Sequence, residues 1–206
     1  MLYSELTAET ADAAIDEQVA FFRAQRQDFE WKVFAHDQPP DLVERLSGRG
    51  FEIDQREAVM VRDLESSPRT SASQDNVLIR RALTRDDLRN VVAVKGNAPL
   101  DTLTFELETA PDYLSVYVAY VGNAPVSTGW IRFPTSSAFA SLWGGTTLPE
   151  YRNRGLYTAL VLARLAEAEQ RGYRFAYVDA GPMSRRILEK HEFMALTYAT
   201  ACTWHL

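Results

Sequence analysis

The chain has 206 residues, of which 46% are hydrophobic and 24% charged, values typical of a globular protein with a substantial core. Its basic and acidic residues give a net charge of 22 − 28 = −6, which argues against an extended nucleic-acid-binding surface. A single cysteine, Cys202, excludes an intrachain disulfide, and three scattered histidines argue against a metal site. Because no apolar run could span a membrane and no signal peptide is recognisable, we expect a cytoplasmic protein that binds neither membrane nor nucleic acid.

The first segment, residues 1–64, is predicted to be a small α/β subdomain. Apolar residues at helical spacing predict a helix within 8–27. An aromatic and β-branched stretch at 28–35 predicts a strand, and residues 41–50 predict a short helix that ends at glycine. A further strand is predicted at 58–64.

The Ser-rich, polar stretch 65–76 predicts a linker to a second segment, 77–206. The pair Thr84 and Asp87 marks the start of a helix there, because together they can cap its first turn. Strands are predicted at 76–82, 114–121, 125–134, 138–149, 175–180 and 194–206, and further helices at 155–171 and 184–193.

Strands alternate with helices only in the second half of this segment, which predicts a mixed α/β fold whose first half is antiparallel. The order strand, proline-containing break, helix and strand occurs over 28–64 and again over 175–206. An internal half-repeat and two ordinary strand–helix–strand units both explain this order.

The most informative stretch is 147–164, TLPEYRNRGLYTALVLAR, in which a strand, a basic turn and an apolar helix follow one another. The N–H groups at a helix N-terminus bind phosphate oxygens. Arg152 and Arg154 add cationic donors, and Gly155 lets a ligand approach the backbone. The pattern therefore favours a diphosphate ligand, although a solvated turn before a buried helix explains the same residues. Neither a P-loop nor a dinucleotide-binding motif is present.

Residues 149–157, PEYRNRGLY, resemble the acyl-CoA-binding motif R/Q-x-x-G-x-G/A of the GCN5-related N-acetyltransferases, the GNAT family. Arg152 takes the first place and Gly155 the fourth, whereas Tyr157 stands where the family has Gly or Ala. The resemblance extends over 77–206 and implies a central mixed sheet with an antiparallel first half and a β-α-β acyl-CoA-binding core. The preceding residues 1–64 would be an added α/β subdomain.

The resemblance implies that acetyl-CoA is the acyl donor and that no metal takes part. Backbone groups of Thr147 and Leu148 would pair with pantetheine, and an N–H near them would stabilise the reacting carbonyl oxygen. The residues implied in pyrophosphate binding are Arg152, Asn153, Arg154, Gly155, Leu156, Tyr157 and Thr158.

The implied reaction is direct transfer of the acetyl group to a primary amine of a small molecule or peptide in a ternary complex. Glu150 and Asp179 are the candidate bases, although a lone carboxylate at a strand end is more often a helix-cap or turn residue. Leu188 stands where the family often has a tyrosine. Ser184 is then a candidate hydrogen-bond donor to the thioester sulphur, or a cofactor contact, with helix capping as the alternative.

The acceptor side has weaker candidates. Trp143 could form the floor of an acceptor pocket or lie in the core, and Gly144 would allow close approach of a substrate to the backbone. The leucine at 188 also keeps open a second function, a non-catalytic acyl-CoA-binding module with a regulatory or scaffolding role. The last strand, 194–206, offers an edge through which two subunits could pair as a homodimer.

Overall fold

A computed structural model describes residues 5–66 and 77–206 of the chain. The helices are α1 (Ala11–Gln25), α2 (Leu42–Ser47), α3 (Arg85–Val94), α4 (Leu100–Thr109), α5 (Leu156–Gln170) and α6 (Pro182–Glu189). The strands are β1 (Phe29–Phe34), β2 (Glu52–Ile53), β3 (Glu57–Asp63), β4 (Leu78–Ala82), β5 (Leu114–Val121), β6 (Ala124–Arg132), β7 (Phe139–Thr147), β8 (Phe175–Ala180) and β9 (Met194–Trp204). None of the described helices is both long and apolar enough to cross a membrane.

The predicted strands and helices are present, and the structure adds helix α4 and the two-residue strand β2. Helix α4 was not predicted, since its sequence LDTLTFELET contains several poor helix formers and follows Pro99 without a side-chain cap. Helix α6 spans Pro182–Glu189 rather than the predicted 184–193. Most of the predicted linker, 67–76, lies outside the described residues.

The chain forms two compact units. One contains the chain up to Met60 together with Asp179–Leu206, and the other contains Val61–Val178. We call them the N/C unit and the central unit. The two units contain different residues from the predicted segments, because residues 179–206 group with the N-terminal residues. The division into a subdomain at 1–64 and a domain at 77–206 stays a prediction.

The central unit has the expected mixed sheet, in the order β8-β7-β6-β5-β4. The pairs from β4 to β7 are antiparallel, and β7 pairs with β8 in parallel. Alternate residues of β5 face opposite sides, so Val116 and Val118 pack with α3 and α4 while Ser115 and Tyr117 face α5. The predicted mixed α/β fold is confirmed.

In the N/C unit, β9 lies between β1 and β3. It pairs antiparallel with β1 from Phe29 opposite Trp204 to Phe34 opposite Ala199. The core joins α1, through the fully buried Ala11 and Ile15, to these strands. The expectation that 194–206 forms a free edge is wrong, because both sides of β9 are paired within the chain. This removes the basis for predicting a homodimer.

A polar network surrounds Glu167 on the α5 side of the central sheet. Its carboxylate accepts hydrogen bonds from Ser115 Oγ at 2.9 Å, Tyr117 Oη at 2.5 Å and Arg171 Nη2 at 2.7 Å. Arg81 Nη1 lies 3.4 Å from the same carboxylate. Although burial raises the pKa of Glu167, the hydrogen bonds from Tyr117, Ser115 and Arg171 outweigh it and leave the pKa below its usual value.

Thr84 caps α3 as predicted. Its Oγ1 accepts the Asp87 N–H at 3.2 Å, and Asp87 Oδ2 accepts the Thr84 N–H at 3.0 Å. We expect Thr84→Ala to lower the free energy of unfolding by about 1 kcal/mol, measured by urea denaturation. Thr102→Ala, at an exposed position inside α4, is the matched control and should change it by less than about 0.5 kcal/mol. Equal losses would contradict the capping role.

The Glu167 network predicts a pH dependence. Because the pKa of Glu167 is lowered by folding, its stabilisation is complete above the unfolded-state pKa of about 4.3 and is lost as the pH falls through the lower folded-state value. We expect Glu167→Gln to weaken the decline in unfolding free energy below about pH 4.5, measured by urea denaturation at several pH values. The exposed Glu108→Gln should behave like the wild type. An unchanged acid dependence in Glu167→Gln would contradict the account.

Candidate functional site

The end of β7 presents backbone groups on the side away from β6. Leu148 N donates to Val126 O at 2.9 Å. Because opposed residues in an antiparallel ladder alternate between bonded and non-bonded pairs, the neighbouring Thr147, opposite Ser127, directs its N–H and C=O away from β6. An N–H near Thr147 or Leu148 was expected to stabilise the reacting carbonyl oxygen. The Leu148 N–H already donates to Val126 O, so the Thr147 N–H is the better candidate.

This outer edge of β7 is left open in the central unit. Within the described chain, β7 pairs with β8 only from Phe139 opposite Phe175 to Ser141 opposite Tyr177. The residues of β7 beyond Ser141 thus have no ladder partner on that side. An extended ligand could pair with them as an added strand does.

A bulge lies next to this edge. The β6–β7 register passes from Trp130 opposite Trp143 to Thr128 opposite Thr146, so Gly129 faces both Gly144 and Gly145. Gly144 has a φ of +63°, and a Cβ built there would overlap the Trp130 ring. Glycine is therefore required at 144 by its conformation and by its close packing.

The basic turn after β7 joins this edge to α5. It begins with the 3-10 turn Pro149–Tyr151, and Arg152 Nε lies 3.4 Å from Thr147 O. The Arg154 guanidinium lies 5.0 Å from the centre of the Tyr151 ring. Both arginines are exposed, so they can reach a ligand at this turn.

Helix α5 begins without a cap. Its N-cap residue is Gly155, with a φ of +74°, and no acidic residue occupies the first turn. The first regular helical bond is donated by Ala159 to Gly155 O at 2.9 Å. The first-turn N–H groups, among them those of Leu156 and Thr158, precede the regular helical bonds and form the positive end of the helix dipole.

Tyr157, the departure from the family motif, has a structural counterpart in β7. A Cβ at Gly145 would lie 2.7 Å from Tyr157 Cε2, so the missing side chain at 145 makes room for the ring. The larger residue is thus accommodated beside the bulge. The first turn of α5 and the open part of β7 are in direct contact.

Trp143 and Glu150 also belong to the central unit. Trp143 is 39% exposed, so of the two alternatives the core position is wrong. Its Nε1 donates to Ser141 Oγ at 2.8 Å. The Arg132 guanidinium lies 5.3 Å from its ring centre. Glu150 is exposed on the 3-10 turn. A role in acceptor binding or proton transfer stays a prediction for these two residues and for Gly144.

The other predicted catalytic residues belong to the N/C unit. Asp179 Oδ2 forms an ion pair with Lys32 of β1, while its buried Oδ1 has no hydrogen-bond partner among the described residues. Burial and the nearby Asp179 raise the pKa of Glu57 in the same unit. Sequence patterns could not indicate the ion pair with Lys32, since the two residues are far apart in the chain.

Ser184 does not cap α6. Gly181 is the N-cap residue and no side chain caps the helix. Ser184 Oγ instead donates to Gly181 O at 3.1 Å, so the expected capping role is wrong. Leu188 is fully buried and contributes only to packing.

Sequence reasoning missed Arg164, a fully buried cation on α5. It lies four residues after Leu160 and eight after Leu156, which are both buried. This helical spacing put Arg164 on the buried face. The spacing was the signal that could have identified it.

Comparison with known proteins agrees with this geometry. The model of the acetyltransferase (GNAT) family matches residues 80–193, more than half of the 206 residues. No curated protein matches the chain in sequence.

Several solved structures share the fold. A GCN5-related N-acetyltransferase from Kribbella flavida has a TM-score of 0.73 and 15% identity, covering 98% of this chain and 77% of that protein. A GCN5-related N-acetyltransferase from Sphaerobacter thermophilus has a TM-score of 0.66 and 13% identity, covering 93% of this chain and 66% of that protein. A tandem GNAT protein from the clavulanic acid biosynthesis pathway has a TM-score of 0.65 and 14% identity, covering 93% of this chain and 68% of that protein.

The bulge predicts unequal costs for two glycine substitutions. Gly144 and Gly122 have similar φ values, +63° and +59°, but nothing lies within 4 Å of a Cβ built at Gly122. We expect Gly122→Ala to cost about 1 kcal/mol of unfolding free energy for its left-handed backbone. Gly144→Ala should cost about 3 kcal/mol or more, because it also displaces Trp130. Urea denaturation measures both, and equal costs would contradict the packing described for the bulge.

Proposed function

Because the chain belongs to the GNAT family of acetyltransferases, we propose that it transfers the acetyl group of acetyl-CoA to an amine of a small molecule or peptide. One observation carries the proposal. In the central unit, the uncapped N-terminus of α5 contacts the open edge of β7, through Tyr157 against Gly145 and Arg152 against Thr147. A ligand with a diphosphate at one end and an extended amide chain at the other fits such a pair of elements.

The diphosphate would lie at the start of α5. The N–H groups of Leu156, Tyr157 and Thr158 would donate to its oxygens. Arg152 and Arg154 would neutralise its charge, each hydrogen bond to the anion contributing about 1.5–3 kcal/mol. Gly155 leaves space for the ligand next to the backbone.

The pantetheine part would pair with the outer edge of β7. Thr147 directs its N–H and C=O toward this edge. Bound acetyl-CoA supplies a thioester, whose acyl carbon accepts a nucleophile. A backbone N–H on this edge would donate to the acyl oxygen, where negative charge develops.

The amine must be neutral to react, so a group has to accept its proton. We propose Glu150 as the first candidate, since it lies in the same unit as the donor-binding turn and is exposed. Asp179 Oδ2 is engaged by Lys32, and the Ser184 hydroxyl is engaged by Gly181 O. Asp179 is therefore the weaker candidate base, and Ser184 is a weak candidate for its own predicted role, a hydrogen bond to the thioester sulphur.

A second function, acyl-CoA binding without catalysis, is favoured by one observation. Leu188, at the place of the family's frequent tyrosine, is fully buried and cannot donate a proton to a leaving thiolate. A panel of amines with acetyl-CoA, followed by release of free thiol, separates the two functions. Thiol release that requires an amine supports the transferase, whereas acetyl-CoA binding with no turnover on any amine supports the second function.

The anion site predicts the effect of an arginine substitution. We expect Arg152→Ala to weaken acetyl-CoA binding by about tenfold, the equivalent of about 1.4 kcal/mol, measured by isothermal titration calorimetry. Arg89→Ala on α3, whose side chain is also exposed, is the matched control and should leave the affinity unchanged. The same affinity in Arg152→Ala and the wild type would contradict the assignment of the turn.

A further inference from the structure

Arg164 is buried, and none of its hydrogen-bond partners in the described part of the chain is acidic. It is 1% exposed, and its guanidinium donates only to backbone carbonyls among the described residues: Nε to Leu160 O at 2.9 Å, and Nη1 to Trp130 O and Trp143 O, both at 3.2 Å. Burial lowers its pKa to about 10. Burying a cation in this way costs free energy, whereas leucine or alanine would fit such a helix face without that cost.

The guanidinium lies at the bulge between β6 and β7. The carbonyls of Trp130 and Trp143 belong to the last opposed pair before Gly129 faces Gly144 and Gly145. A bulge disrupts the regular ladder and leaves backbone groups in need of partners. One Arg164 nitrogen donates to a carbonyl on each strand at this point, so the side chain joins both strands to α5.

The surrounding glycines make this contact specific. A Cβ at Gly129 would lie 2.8 Å from Arg164 Nη1 and 2.9 Å from Cζ, so the guanidinium occupies the space of a side chain at 129. On the other side of the bulge, Tyr157 occupies the space beside Gly145. Helix α5 therefore contacts the bulge through its first turn and again through its third.

We propose that Arg164 is a positioning residue that holds the open edge of β7 in register with the first turn of α5. The inference rests on the proposed function, in which the two ends of one ligand contact these two elements. A ligand that contacts two half-sites gains affinity only when their separation is fixed at the right value. Arg164 fixes that separation without contacting the ligand.

The test compares a ligand for one half-site with a ligand for both. ADP carries the diphosphate alone, whereas acetyl-CoA also reaches the edge of β7. In Arg164→Lys, which keeps the charge but loses the planar fork, we expect the acetyl-CoA dissociation constant to rise by about tenfold or more and that of ADP to stay within about twofold. Titration calorimetry for acetyl-CoA and ligand-observed NMR for ADP measure the two constants.

Arg171→Lys is the matched control. Arg171 follows the same helix, and its guanidinium donates to Glu167 and to Asp112 O, so both dissociation constants should stay at wild-type values. If Arg164→Lys does not fold, as judged by circular dichroism, Gly129→Ala replaces it. That variant keeps the arginine and displaces its guanidinium by a methyl group, and the same result is expected.

Three outcomes contradict one or the other claim. A folded variant that binds both ligands like the wild type overturns the positioning role, and so does an equal loss for ADP and acetyl-CoA, which indicates general damage to the site. Failure of the wild-type protein to bind either ligand contradicts the proposed function instead. The two claims can therefore fail separately.

Discussion

The absence of a side-chain cap at the start of α5 is the constraint on which the site depends. Helix α3 in the same unit satisfies its first turn with Thr84 and Asp87, but α5 begins at a glycine and has no side-chain cap. Its buried face, which includes Leu156 and Leu160, fixes the helix in the central unit. The polar groups at its tip therefore keep a constant position, and a bound anion is the partner that suits them.

Strand β7, which contacts this helix, has an open edge and a bulge that suit the same ligand. A regular β7 paired with β8 along its whole length would have no free edge, and a regular β6–β7 ladder would have no place for the Arg164 guanidinium. The bulge at Gly144 and Gly145 interrupts the regular pairing of β6 and β7. In the turn that follows, Asn153 has a left-handed backbone, which in residues other than glycine is of the kind that concentrates at functional sites. Arg164 and Tyr157 connect these irregular parts to a rigid helix.

Local sequence patterns predicted most of the helices and strands, but they did not predict contacts between residues that are far apart in the chain. Apolar residues at helical spacing predicted the helix within 8–27, where Ala11 and Ile15 are buried, because helical periodicity is a property of neighbouring residues. The partners of Asp179 and Arg164 could not be predicted in this way, since Lys32 lies on a distant strand and the bulge carbonyls belong to β6 and β7. Pairing of β9 on both sides likewise depends on the N-terminal strands, which sequence periodicity does not place.

The most direct measurement is a titration of ¹⁵N-labelled protein with acetyl-CoA, followed by the chemical shifts of assigned backbone amides. The account predicts the largest shifts at Leu156, Tyr157 and Thr158, together with Thr147 on the edge of β7. Leu148, whose N–H is bonded to Val126 O, should shift less than Thr147. Saturable shifts confined to other parts of the chain, with these amides unmoved, would contradict the account.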